Sequence, residues 1–167
     1  MGQVETVETV DAFIEIPRGS RNKYEYDKEL KTFRLDRVLY SSVHYPSDYG
    51  YIPETLAEDG DPLDILVIVQ EPTFPGCIIA ARPIGGLDMW DEKGSDFKVV
   101  AVPIGDPRYA EIFSMEDAGS HWAREIETFF ASYKHLENKT SEVRGWHDVA
   151  HVTRIIAECR ERYTTGA

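Results

Sequence analysis

The sequence has few cysteines, no long apolar run and no excess of basic residues, and each shortage removes a class of protein. The 167 residues contain two cysteines, Cys77 and Cys159, too few for a disulfide framework or a cysteine-rich zinc site. No apolar stretch approaches the roughly 18 residues that a membrane-spanning helix needs. Residues 1–10 alternate Glu with Val and Thr and lack the basic start and apolar core of a signal peptide. We therefore expect a cytoplasmic protein.

The charge is strongly one-sided. The chain has 30 acidic and 18 basic residues, a formal net charge of -12. The field of such a molecule repels nucleic acids, anionic membranes and small anions, so we expect neither a nucleic-acid partner nor a membrane partner. If the substrate is itself an anion, bound cations or a local cluster of Lys and Arg must attract it.

The first two-thirds of the chain have the pattern of a β protein. Between residues 11 and 103, short apolar stretches alternate with Pro, Gly and Asp, which predicts strands within residues 12–16, 63–69, 77–84 and 97–102. The stretches follow one another too closely for helical crossovers. This spacing favours an antiparallel meander or a small closed barrel.

The remainder of the chain has the pattern of helices. Apolar residues recur with the helical period in residues 126–133 and 149–159, which predicts two amphipathic helices. The polar residues 137–144 are interpreted as the connection between them. The length suits one domain, so residues 1–167 are expected to form a single domain, with residues 1–10 as an N-terminal extension.

Three aspartates crowd the start of a predicted strand in residues 59–64, DGDPLD. Two carboxylates about 4 Å apart repel each other by roughly 4 kcal/mol at an effective dielectric of 20, so a positive group should lie among them. Hard divalent cations prefer such oxygen ligands. Counting from Asp59 places Asp64 and Gln70 where an EF-hand loop needs Gly and Glu, which excludes that loop. Taken alone, the pattern is more typical of a solvated turn.

A second acidic group and a basic, tyrosine-rich region add to this pattern. The second group comprises Asp88, Asp91, Glu92 and Asp96, and alone it would fit a solvated hairpin tip. Two acidic groups on neighbouring loops suit a two-metal site that activates water for phosphoryl transfer. Arg and Lys are natural ligands of phosphate oxygens. They occur upstream with several tyrosines, although an exposed strand and a core-packed turn would explain those residues equally well.

Residues 59–64 resemble the D-x-D-P-x-D signature of the family I soluble inorganic pyrophosphatases of prokaryotic type. The resemblance extends from about residue 11 to residue 134, since further segments match the family in the same order. These segments are Ile14-Glu15-Ile16-Pro17, Asn22-Lys23-Tyr24-Glu25, Leu35-Asp36-Arg37, Tyr45-Pro46, Asp48-Tyr49-Gly50-Tyr51, Asp91-Glu92, Asp96 with Lys98, and Tyr133-Lys134.

The resemblance implies a fold, a reaction and a site. The fold is mainly β with α, an OB-like five-stranded antiparallel barrel flanked by two C-terminal helices, assembled as a homohexamer. The reaction is the hydrolysis of pyrophosphate to two orthophosphates by a metal-activated water, with Asp61 taking the proton. Mg²⁺ is the expected cofactor, Mn²⁺ a substitute and Ca²⁺ an inhibitor. The implied metal residues are Glu15, Glu25, Asp59, Asp64, Asp91 and Asp96. The implied phosphate contacts are Lys23, Arg37, Tyr49, Lys98, Tyr133 and Lys134.

Three other functions are weighed against this one. A metal-dependent phosphohydrolase could act on nucleotides or polyphosphate instead, although no base-binding pocket can be identified. An OB-fold module could stack single-stranded nucleic acid on its tyrosines, but the acidic balance argues against it. A calcium-binding structural module is weakened by the failed EF-hand count.

Overall fold

The computed structural model describes residues 8–166. Of the predicted N-terminal extension, residues 1–7 lie outside this range, whereas Val10 already begins the first strand. Within the described residues the chain forms nine strands and three α-helices. The strands are β1 (Val10–Ile16), β2 (Asn22–Asp27), β3 (Thr32–Val38), β4 (Asp48–Tyr51), β5 (Asp64–Val67), β6 (Ile78–Asp91), β7 (Gly94–Ser95), β8 (Lys98–Pro103) and β9 (Ser141–His147). The α-helices are α1 (Met115–Ala118), α2 (Ser120–Ser132) and α3 (Val149–Thr165), and single 3-10 turns span Pro107–Tyr109 and His135–Glu137.

Five strands close a ring, in the order β1, β4, β5, β8, β6 and back to β1. The mainly β class, the OB-like arrangement and the two C-terminal helices agree with the sequence-based expectation. The sheet is mixed rather than wholly antiparallel, because β5 and β8 run parallel. The chain makes this parallel connection through the long strand β6 and the short strand β7 instead of through a helix.

The ring is covered on both faces by separate parts of the core. In β5, Leu66 packs in a cluster with residues of α2, whereas its neighbours Ile65 and Val67 pack in a second cluster with residues of α3. Successive side chains of a strand point to opposite faces, so a strand buried on both faces reads as a continuous apolar run. This burial explains why β5 and β8 are apolar at nearly every position.

The C-terminal region contains a strand that the sequence analysis missed. Residues 137–144 were interpreted as a polar connection, but Ser141–His147 forms β9 and pairs antiparallel with β6. Polar and apolar side chains alternate along it, and its residues are half-buried or exposed. An edge strand of this kind has one face on the core and one face in water, so it lacks the apolar run of β5.

The two predicted helices are confirmed, with adjusted ends. Helix α2 buries Ile126, Phe129 and Phe130 and ends at Ser132. Helix α3 begins after Asp148, whose side chain accepts a hydrogen bond from the backbone N–H of His151, the usual capping contact of an aspartate. In the part of the chain that the structure describes, no helix is both long enough and apolar enough to cross a bilayer.

Candidate active site

A polar cavity of about 570 Å³ lies between the ring, the β2–β3 hairpin and the end of α2. All thirteen side chains proposed from the sequence line it, although they come from positions as far apart as Glu15 and Lys134. Seven of the chain's 18 basic residues also line it. Eight acidic side chains lie on the same wall, so the cavity would attract an anion strongly only with additional positive charge, such as a bound cation, among them.

The parallel pairing of β5 and β8 builds the deepest part of the cavity. In this register Asp64, the first residue of β5, lies beside Lys98, the first residue of β8. Lys98 is only 2% exposed. Its Nζ donates to Asp64 Oδ2 at 2.7 Å, to both Asp96 oxygens at 3.0 Å and to the Tyr49 hydroxyl at 2.7 Å. One buried cation thus holds two carboxylates and a phenol in place.

The charges of this cluster determine one another. Burial works against the charge of Lys98, but Asp64 and its neighbours outweigh burial and raise the pKa of Lys98 well above its usual range. Burial raises the pKa of Asp64, and Lys98 only partly offsets that rise. Burial also opposes the ionisation of Asp96, but Lys98 outweighs it and keeps the pKa of Asp96 below its usual value. The cluster therefore contains two carboxylates, Asp64 and Asp96, and only one cation, Lys98, to neutralise them.

The loop between β4 and β5 places Asp59 and Asp61 at the mouth of the cavity. Gly60 lies between them with a φ of 88°, a left-handed conformation that glycine adopts at low cost. The Asp59 side chain accepts a hydrogen bond from the backbone N–H of Asp61 at 3.0 Å. Asp61 is exposed, and its side chain has no hydrogen-bond partner among residues 8–166, so it can contact a water or a ligand.

Glu15 lies on the polar face of β1, between the buried residues Ile14 and Ile16. Its Oε2 accepts a hydrogen bond from the backbone N–H of Tyr26 on β2 at 2.9 Å. Burial is the main reason that the pKa of Glu15 rises to about 7, and the nearby Asp64 and Glu25 carboxylates raise it further. The charge of Lys23 lowers this pKa by less than any of these contributions, and Glu15 forms no ion pair with the residues that the structure describes.

The remaining predicted residues lie mainly on the β2–β3 hairpin and just after the C-terminal end of α2. Lys23 and Arg37 are opposite each other in the β2–β3 register, and Lys23 Nζ donates to Asp36 Oδ2 at 2.9 Å. Tyr133 is 6% exposed and packs on Phe129 and Phe130, so it belongs to the core and to the cavity wall at once. Lys134 Nζ lies 3.6 Å from Asp91 Oδ2, which ties the end of α2 to the end of β6.

The donor chemistry of the cavity fits a hard divalent cation. Six carboxylates proposed as ligands share its wall, and oxygen ligands of this kind suit Mg²⁺, Mn²⁺ or Ca²⁺. Burial raises the pKa of both Glu15 and Asp64, which marks the place where positive charge is deficient. Across residues 8–166, no three acidic, His or Cys side chains already stand at the spacing of a formed metal centre.

Sequence reasoning missed part of the cavity wall and wrongly grouped one residue with it. Asp88 belonged to the second acidic group, but it lies beside a separate cavity, with its Oδ2 3.9 Å from His147 Nε2. The missed lining residues have charged or aromatic side chains. They include Lys28, Lys93, Lys139, Tyr24, Tyr26 and Phe130. Lys139 lies in the segment taken for a plain connection, so only the fold reveals it.

Removing the charge of Glu15 should stabilise the metal-free protein. The folded-state pKa of Glu15, about 7, exceeds the usual 4.5, so the folded protein binds the carboxyl proton more tightly than the unfolded chain does. The free energy of unfolding therefore falls as pH rises from 4.5 to 7. Glu15→Gln keeps an acceptor for Tyr26 and removes this loss. In EDTA it should raise the free energy of unfolding by up to about 3 kcal/mol above pH 7 and by almost nothing near pH 4, as measured by urea titration.

Glu25→Gln is the control for this prediction, because Glu25 lines the same cavity but is exposed. It should change stability far less at either pH. An equal gain for both variants at pH 8 would mean that general repulsion in the cavity, and not the burial of Glu15, causes the effect.

The chain resembles a well-populated set of proteins along nearly its whole length. A family model described as inorganic pyrophosphatase matches residues 12–164. The inorganic pyrophosphatase of Synechocystis sp. is 55% identical over 154 residues, covering 92% of this chain and 91% of that one. That of Methanosarcina mazei is 53% identical over 151 residues, covering 90% and 89%. The crystal structure of the inorganic pyrophosphatase from Thermus thermophilus superposes with a TM-score of 0.91 at 44% identity, covering 98% of this chain and 95% of that one.

Proposed function

The chain belongs to the inorganic pyrophosphatase family and is an inorganic diphosphatase, and from this premise we propose that the cavity hydrolyses pyrophosphate with the help of a bound divalent cation and an aspartate base. The observation that supports the mechanism most is the composition of one cavity wall, which carries both carboxylates for a cation and basic side chains for phosphate. Pyrophosphate is a compact, highly charged anion, and such a wall offers both kinds of contact that its oxygens need.

The proposed cation ligands are the six carboxylates on β1, β2, β5, β6 and the adjoining loops. When bound there, a divalent cation supplies positive charge to the phosphoryl oxygens and makes a nearby water more acidic. We expect Mg²⁺ in this place, Mn²⁺ as a substitute and Ca²⁺ as an inhibitor. The ligand set comprises Glu15, Glu25, Asp59, Asp64, Asp91 and Asp96.

The basic and phenolic side chains of the wall would bind and orient the two phosphoryl groups. The transition state of phosphoryl transfer spreads negative charge over the equatorial oxygens, so catalysis depends on positioning and positive charge more than on covalent chemistry. Lys98 and Tyr49 lie deepest, while Lys23 and Arg37 approach from the hairpin. Tyr133 and Lys134 approach from the end of α2, so a bound substrate would meet donors from the ring, the hairpin and the helix.

Asp61 is the proposed base. Its side chain lines the cavity at the mouth and is exposed, and it has no hydrogen bond to the described part of the chain that would have to break. A carboxylate placed in this way can take the proton of the water that attacks phosphorus, and the leaving phosphate is stabilised by the donors opposite. Asp59, held by its turn bond to Asp61, keeps the loop in register.

The remaining expectations concern assembly and location. We propose one domain for the whole chain, a homohexameric assembly and a cytoplasmic location, with pyrophosphate and phosphate as ligands. Several apolar side chains that are exposed in the single chain, such as Phe74 at 64% and Ile78 at 59%, support an assembly in which copies cover one another.

Phosphate release by the purified protein tests the proposed reaction. With Mg²⁺ we expect turnover of pyrophosphate, much slower turnover of ATP and tripolyphosphate, and loss of turnover in excess EDTA or when Ca²⁺ replaces Mg²⁺. Comparable rates on ATP would favour the broader phosphohydrolase. Turnover that persists in EDTA would contradict the metal-dependent mechanism and leave the carboxylates without a role in the reaction.

A further inference from the structure

One carboxylate beside the cavity has no part in the mechanism so far. Glu137 ends the 3-10 turn His135–Glu137 that follows α2, and its side chain is only 5% exposed. Its Oε1 lies 3.0 Å from Arg37 Nε, although the N–H is not aimed at that oxygen, and its Oε2 has no partner among the described residues. Buried ion pairs of this kind contribute little to stability compared with apolar packing, which points to a role in placing Arg37.

Arg37 needs such a contact because of where it lies. The β2–β3 hairpin forms a two-stranded sheet of its own, outside the ring. Lys23 lies opposite Arg37, so two cations are neighbours across the pair, an unfavourable arrangement unless anions separate them. Asp36 already binds Lys23 and lies 3.6 Å from Arg37 Nη1. Without Glu137, the only carboxylate paired with the guanidinium among the described residues would be Asp36, which Arg37 shares with Lys23.

The contact with Glu137 comes from the opposite side. Glu137 lies at Nε and Asp36 at Nη1, so among the described residues Nη2 has no carboxylate partner and remains for the cavity that Arg37 lines. A guanidinium binds a phosphate through two parallel N–H groups, so its orientation decides whether the contact is bidentate. The Glu137 carboxylate is therefore placed to set the direction in which the N–H groups of the Arg37 guanidinium point.

The same turn also carries other proposed phosphate contacts. The backbone N–H of Glu137 donates to the carbonyl of Lys134 at 3.0 Å, and Tyr133 caps the end of α2 just before it. We propose that Glu137 is a positioning residue, whose buried carboxylate holds Arg37 of the hairpin in register with Tyr133 and Lys134 around the phosphate. This inference rests on the proposed phosphate contact of Arg37.

Steady-state kinetics on four proteins test this: wild type, Arg37→Ala, Glu137→Gln and the double variant, with pyrophosphate and Mg²⁺. We expect Arg37→Ala to lower kcat/KM by roughly a hundredfold and Glu137→Gln by roughly tenfold. In the absence of Arg37, Glu137 has nothing to orient, so the double variant should match Arg37→Ala within about twofold. Glu137→Asp, which keeps the charge, should recover part of the loss seen with Glu137→Gln.

Several outcomes would overturn the inference, and they differ from a failure of the proposed function. Losses that multiply in the double variant mean that Glu137 acts independently of Arg37. Wild-type kinetics for Glu137→Gln beside an impaired Arg37→Ala leave the proposed function intact and remove only the positioning role. Wild-type kinetics for Arg37→Ala would remove the phosphate contact of Arg37 together with the positioning role, whereas only a wild-type protein that fails to release phosphate from pyrophosphate would overturn the proposed function.

Unfolding temperatures and a variant on the surface test the Arg37–Glu137 pair further. Arg37→Ala leaves the Glu137 carboxylate buried without a cation, so adding Glu137→Gln should raise the Tm of Arg37→Ala. A lower Tm would contradict the pairing seen in the structure. Glu142→Gln is the matched control, since Glu142 is exposed and pairs with Arg144 outside the cavity, and its kinetics should equal those of the wild type.

Discussion

Asp61→Asn should lower kcat for pyrophosphate by about 10²–10⁴-fold, the usual contribution of a positioned general base. Asparagine has nearly the same shape but cannot take a proton, so binding and KM should change little. The protein should keep its stability, because the Asp61 side chain is exposed and the turn is held by its backbone N–H bonded to Asp59. Initial rates of phosphate release at saturating Mg²⁺, with urea unfolding alongside, measure both properties.

Glu58→Gln is the control for Asp61→Asn. Glu58 is exposed on the same loop but lies on its other side, at the smaller cavity, and its removal should leave kcat unchanged. A kcat of wild-type size for Asp61→Asn would exclude this residue as the base and transfer the role to another group at the cavity mouth.

Lys98→Met should impair both activity and stability. Lys98 is the cation that neutralises Asp64 and Asp96, and removing one partner of a buried pair costs about 3–5 kcal/mol because the carboxylates remain. In EDTA the free energy of unfolding should fall by that amount. With Mg²⁺ part of the lost stability should be regained, since the carboxylates left without Lys98 gain a new cationic partner. Loss of a donor to the substrate should lower kcat by roughly a hundredfold or more.

Arg144→Met provides the comparison for Lys98→Met. Arg144 pairs with Glu142 on the surface at 3.3 Å, and exposed pairs contribute less than about 1 kcal/mol. If Lys98→Met in EDTA is as stable as Arg144→Met, the carboxylates around Lys98 do not depend on it for their charge. The description of the deepest part of the cavity would then be wrong.

The differences between sequence and structure have physical causes that single residues illustrate. The predicted strand within residues 77–84 ends at Ile84, just before two glycines, yet β6 continues to Asp91. A register shift between Pro83 and Gly85 absorbs the missing N–H donor. Gly86 is needed for another reason, because a Cβ there would lie 2.3 Å from the Phe97 ring. Residues that disfavour a strand, such as Pro83 and Gly86, can be recognised in the sequence, but the packing that allows the strand to continue through them cannot.

The candidate site was more predictable than the strand pairing. The resemblance placed residues such as Asp64 and Lys98 on one list, and both line the cavity. It could not reveal that they are neighbours in a parallel register, since the spacing argument considered only helical crossovers for parallel strands. Glu137 was beyond reach for a similar reason, as its partner Arg37 lies 100 positions earlier and no local pattern signals such a contact.

The closure of the ring also bears on how the chain reaches its native state. Strands β5 and β8 pair although β6 lies between them in the chain. Strand β1 pairs with β6 through Val10 and Ala81, which are 71 positions apart. Distant pairings of this kind form slowly, because the entropy of closing a long loop is lost before the contacts are gained. Asp64 and Lys98 come together only when β5 pairs with β8. The return of enzymatic activity during refolding should therefore report that pairing, and not the early appearance of helix.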